Sequence, residues 1–143
     1  MKANYRKSSR LGITLFALVT TSTFGGTQDA SSPLAPLAKI HLELQVCSDT
    51  ALSYQDDEVS AQKYEEAAAE LYSRFREVGW TEMEIAAAMV TALDDMEQSG
   101  ELVSQNGDTM EEFQLRNFSD DRCEDQLITA RKLLEGNIPT PSR

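Results

Sequence analysis

Histidine is almost missing from this chain: His41 is the only one in 143 residues. There are only two cysteines, Cys47 and Cys123. No His-x-x-x-His or Cys-x-x-Cys spacing occurs, so the ligand sets of a zinc site and the close thiol pair of a redox catalyst are both absent. The sequence also lacks a G-x-S-x-G nucleophile turn, a Walker loop and a dinucleotide fingerprint. No apolar stretch reaches the ~20 residues that a helix needs to cross a bilayer. No run of alternating β-branched residues is present, which excludes an evident sheet. No repeat or low-complexity segment breaks the chain into smaller units. The length suits one domain with a modest core.

Acids are missing from the first 28 residues, and this marks out the N-terminus. Lys2, Arg6, Lys7 and Arg10 are followed by the short apolar run Leu11 to Val19, then by small and polar residues. That order is the layout of a secretory signal peptide, predicted over 1–25 with cleavage after Gly25 and a mature start between Phe24 and Ser31. No cysteine follows the apolar run closely, which argues against a lipoprotein. The expected location is secreted, and periplasmic if the host is Gram-negative.

Beyond the four N-terminal cations, nine basic residues face twenty-four acidic ones, a net charge of −15. Such a surface repels phosphate backbones and anionic headgroups. Nucleic acid is therefore not an expected partner, nor is a stable membrane span after signal cleavage. A cationic protein partner is compatible with this charge.

The predicted architecture is all-α: a small bundle of four to five helices with short loops, preceded by the signal peptide. A linker covers 26–36, a helical domain 37–136 and a tail 137–143. Helix 1 is predicted from near Pro36, with Leu37, Ile40, Leu44, Cys47, Ala51 and Tyr54 forming one stripe. Helix 2, over about 58–78, turns Tyr64, Ala67, Ala68, Leu71, Tyr72, Phe75 and Val78 inward, with Glu70–Arg74 as an i,i+4 pair. Gly79-Trp80 then predicts a tight αα-hairpin. Gly79 ends helix 2 in the left-handed conformation, and Trp80 packs against Phe75 and Ile85. Thr81 and Glu84 form a capping box.

Helix 3 is expected over about 82–98, burying Ile85, Ala86, Met89, Val90, Leu93 and Met96. A loop follows with its turn at Asn106-Gly107. A second capping box, Thr109 with Glu112, opens a short helix at 110–117. Ser119 caps the last helix, about 120–135, whose acidic first turn suits the helix dipole. Cys47 and Cys123 fall on apolar faces and, in an exported chain, predict a disulfide tying the first helix to the last.

Chemistry is sparse. His41 reads as a partly buried packing residue. Asp56-Asp57-Glu58, Asp94-Asp95, Glu111-Glu112 and Asp120-Asp121 lie near helix ends and read as caps and solvated faces. Asp95, Glu97, Ser99 and Gly100 fit the start of an EF-hand loop, but Asn106 stands where the closing Glu belongs. No catalytic residue, metal or cofactor is expected. The function predicted is binding of another protein in an inhibitor, immunity or chaperone-like role. The alternative is a structural or accessory subunit of an envelope or secretion assembly. A carboxylate-dependent enzyme is the minor alternative.

Overall fold

The structure, a computed structural model, describes residues 32–143; the predicted signal peptide and most of the predicted linker lie outside them. Five helices follow one another: α1 (Ala35–Tyr54), α2 (Glu58–Glu77), α3 (Glu82–Gln98), α4 (Met110–Asn117) and α5 (Asp120–Glu135). No strand occurs among the described residues. The all-α bundle is thus the architecture, and α1 is its axis, because α2, α3, α4 and α5 all pack against it.

α1 starts at Ala35, one residue before the predicted Pro36. Ser32 supplies its carbonyl to the Ala35 amide at 2.8 Å, and Leu34 is fully buried at the N-cap. Pro36 therefore lies inside the first turn, where a missing N–H costs nothing. The central position of α1 also widens its buried surface. Ala38, Leu44, Cys47 and Ala51 are buried, but so are His41, Glu43 and Thr50. Leu37, Ile40 and Tyr54 are only half-buried.

α2 buries Ala61, Tyr64, Ala67, Ala68, Leu71 and Phe75, close to prediction. Asp57 caps it by accepting from the Ser60 amide at 3.0 Å. The predicted Glu70–Arg74 pair does not form. Arg74 instead donates to Glu77 at 3.0 Å, on an exposed surface where either pairing is worth little.

The turn after α2 is a Schellman motif with both of its bonds present. The Trp80 amide donates to the Phe75 carbonyl and the Gly79 amide to the Arg76 carbonyl, each at 3.1 Å. Gly79 has φ 105°. Trp80 is 7% exposed and shares the core cluster with Phe75 and Ile85. The Thr81–Glu84 capping box closes in both directions. A Cβ at Gly79 meets only side-chain atoms, at 3.7 Å or more. Gly79→Ala should therefore lose about 1 kcal/mol through its φ alone, as read by chemical denaturation. An unchanged midpoint contradicts the turn geometry.

The tail is fastened to this turn. Ile138 is buried, and Trp80 Nε1–H donates to the Pro139 carbonyl at 2.7 Å. Arg143 reaches the Gly79 carbonyl at 3.4 Å. Ile138 thus joins the core and Pro139 holds Trp80, where the sequence suggested only a tail.

The buried side of α3 is rotated from its prediction. Ile85, Ala88, Ala92 and Met96 face inward, and Met89 is half-buried. Ala86, Val90 and Leu93 are exposed, the latter two at 59% and 44%. α3 is apolar on more than one side, and the small Ala88 and Ala92 permit close approach to α1. A second Schellman turn ends α3: Gly100 has φ 71°, and the Glu101 amide donates to the Met96 carbonyl at 3.2 Å. The following loop is tied down by Asn117. Its amide accepts from the Val103 N–H at 2.8 Å and donates to the Val103 and Phe113 carbonyls at 2.9 Å. The Thr109–Glu112 box opens α4 as predicted. Ser119 holds the N-cap position of α5, but its hydroxyl makes no capping bond. Cys47 and Cys123 stand at disulfide distance, with Cα atoms 5.7 Å apart.

Candidate functional site

α2 and α3 leave their turn in different directions, each lying on α1, and an open groove of about 740 Å³ remains between them. α1 provides the floor through His41, Gln45 and Leu52. Ala68, Ala69 and Tyr72 of α2 form one wall, and Met89 of α3 the other. Leu52 is exposed there. The rim carries Asp49 and Glu65, and among the described residues no Lys or Arg lines the groove. Asp49 is held by the Ser53 hydroxyl at 3.3 Å and the Gln114 amide at 3.2 Å.

His41 is 4% exposed and tilts against the Tyr72 ring, with centroids 5.8 Å apart. Its Nδ1 lies 2.8 Å from the Ala68 carbonyl. A carbonyl only accepts, so Nδ1 carries the hydrogen and the neutral ring keeps its lone pair on Nε2. Burial pushes the imidazole below its ordinary 6.5, and the Ala68 bond offsets part of this. The orienting partner is thus a neutral backbone carbonyl. Burial, the Tyr72 contact and the Ala68 bond fix the ring in the floor of the groove.

A pH dependence follows. The unfolded chain binds the proton that the folded histidine resists. His41 contributes its full stability above about 6.5, and that contribution declines as the pH falls through this value towards the lower folded one. Thermal melts should shift downward in this window, and His41→Gln should flatten the slope there. An unchanged slope in the variant refutes the assignment. Glu101 titrates in a separate window. Its hydrogen bond from Lys39 holds its carboxyl below the usual 4.5, so its contribution fades only as the pH falls below that value.

A second polar group lies on another side of α1. Glu43, 1% exposed, receives the Arg122 guanidinium on Oε1 at 2.5 Å. Arg122 also donates to the Asn117 carbonyl at 3.0 Å and lies 5.1 Å from the Phe118 ring centroid. Glu101 follows the Gly100 turn, pairs with Lys39 and comes within 3.6 Å of Arg122. Two acids and two bases from α1, α5 and the α3–α4 loop thus compensate one another. Nothing in the local sequence separates Glu43 from the other acids. Its spacing from Leu44 and Cys47 was the available signal, and it became meaningful only once α1 was known to be enclosed on several sides.

The residues that the sequence singled out are dispersed. Asp95 and Glu97 lie within α3, so the first positions of the calcium-loop spacing fall on helix. Asp57 and Glu112 serve caps, and Asp120 and Asp121 occupy the first turn of α5. Cys47 and Cys123 join α1 to α5. Of the candidates, His41 alone lines the groove. No protein-family model matches this chain, and no curated protein or solved structure matches it.

Proposed function

We propose that this protein is a non-catalytic, exported binding protein, and that its groove receives a basic, amphipathic segment of a partner protein. The role would be that of an inhibitor, an immunity factor or a chaperone-like protein. One observation carries the reading: a largely apolar groove has an acidic rim and, among the described residues, no cation in its lining. Leu52, Met89 and Tyr72 offer contact area to apolar side chains, while Asp49 and Glu65 attract Lys or Arg around them. The acidic surface as a whole would speed the encounter with a cationic partner.

The test is calorimetric titration of the disulfide-bonded protein with a lysine-rich amphipathic peptide and with its glutamate-rich counterpart. The basic peptide should bind, more weakly as salt is raised. Glu65→Lys should weaken binding about tenfold through charge reversal at the rim. Met89→Lys should weaken it further by placing a charge on the apolar wall. Equal binding of the acidic peptide, or indifference to both substitutions, removes the proposal.

A second reading is an accessory subunit of an envelope or secretion assembly. It rests on α3, whose outward side carries exposed Met83 (82%) and Val90 (59%). Co-purification from the host envelope separates the two: one stoichiometric basic partner favours the groove, and a large complex favours the assembly.

A further inference from the structure

The floor of the groove holds a buried polar group that the fold leaves half engaged. His41 is 4% exposed and lines the groove. Its Nδ1–H is taken up by the Ala68 carbonyl, so Nε2 is an acceptor. Among the described residues nothing bonds Nε2. The side-chain nitrogen and oxygen atoms that are both sealed and without a partner are Glu43 Oε2 and Gln114 Oε1, and Nε2 is not one of them. Nε2 therefore keeps an opening, and the groove is where His41 meets open space. The Ala68 bond and the Tyr72 ring hold the imidazole, so this acceptor has a fixed position.

That position selects what can cover it. A wholly apolar group laid over Nε2 strands a buried acceptor, which is costly. A lysine ammonium brings a charge and three donors to a floor whose carboxylates stand on the rim. A carboxylate brings acceptors alone. A hydroxyl suits both floor residues: it donates to Nε2, and its oxygen accepts from the amide of Gln45, one turn further along α1. Ser and Thr carry their hydroxyl close to their own backbone. Tyr carries it at the tip of a rigid ring, which reaches the floor while its faces cover Tyr72 and Met89. At about 740 Å³ the groove has room for that ring beside the segment that bears it.

Resting on the groove reading above, we propose that the basic partner segment seats a tyrosine in the groove, with its hydroxyl donating to His41 Nε2 and accepting from Gln45, so that His41 determines which partner fits.

The probes are two lysine-rich amphipathic peptides that differ only in having Tyr or Phe at the centre of the apolar face. They are titrated by calorimetry into the disulfide-bonded protein at pH 8, where the His41 ring is neutral. Transfer from water alone favours Phe. The Tyr peptide should nevertheless bind about tenfold tighter, because only it meets the buried acceptor. His41→Phe should erase that preference. The ¹⁵N resonance of Nε2 supplies a readout on the native protein, which holds even if the variant does not fold. His41 is the only histidine, so its imidazole signals need no assignment to a position. The Nε2 signal should move towards its protonated value with the Tyr peptide and stay close to its free value with the Phe peptide. Equal affinities, an unresponsive Nε2 signal, or a folded His41→Phe that still prefers Tyr overturns the inference and leaves the groove reading standing. Failure of both basic peptides to bind removes the groove reading and the inference together.

Discussion

Replacing Cys47 and Cys123 together by alanine should lower the melting temperature by roughly 10 °C or more. The bond spans 76 residues and joins α1, the axis of the bundle, to α5 near the end of the chain. Cross-links over loops of this size typically contribute 2–4 kcal/mol, chiefly by restricting the unfolded chain. For a domain of this size each kcal/mol moves the midpoint by several degrees. Both cysteines are almost completely buried, so adding a reductant to the native protein tests access as well as stability. The double alanine variant avoids this difficulty, and its loss includes only a small packing term. Calorimetry of the two proteins is the measurement. Equal midpoints would show that α1 and α5 are held by packing alone. Groove binding should survive in the variant wherever it remains folded, because neither cysteine lines the groove.

The five helices were legible because their signals are local. Thr81-x-x-Glu84 and Thr109-x-x-Glu112 close their own capping boxes, and Gly79 ends α2 through bonds within five residues of itself. Such features depend little on the rest of the molecule. What depends on topology was hidden. Periodicity assigns one inward stripe to a helix, yet α1 is covered by four neighbours and buries His41, Glu43 and Thr50 beside its leucines. α3 is apolar on several sides, so the pattern could not choose between Val90 and Leu93 on one side and Ala88 and Ala92 on the other. The structure chose the small residues, against which α1 approaches. The tail reads as Pro-rich and irregular, and its value lies in long-range contacts, the buried Ile138 and the bonds from Trp80 to the Pro139 carbonyl and from Arg143 to the Gly79 carbonyl. The groove was hidden for the same reason. It exists because α2 and α3 diverge across α1, and no segment of the chain encodes that divergence alone. Of its lining residues, Ala68, Tyr72 and Met89 read only as core positions, and His41, read as partly buried, is almost fully enclosed.

The largest single-residue effect should come from Arg122, and it should be asymmetric with its partner. Arg122→Met leaves the Glu43 carboxylate charged, fully buried and without its cation. Breaking a buried pair in this way typically costs about 3–5 kcal/mol, a large share of a domain's net stability. Glu43→Met is the milder change. Arg122 keeps a quarter of its side-chain surface in solvent, with Glu101 at 3.6 Å and the Asn117 carbonyl still accepting from it. The double variant, Glu43→Met with Arg122→Met, should recover much of the loss seen in Arg122→Met. Two apolar side chains beside Met96 and Phe118 strand no charge and extend a wall that is already apolar. A double-mutant cycle in urea measures the coupling directly. The expected order of stability is native, then Glu43→Met and the double variant, then Arg122→Met well below. Equal losses from the two single changes would mean that Glu43 escapes to solvent when Arg122 is removed. The carboxylate would then not be enclosed as its surroundings require.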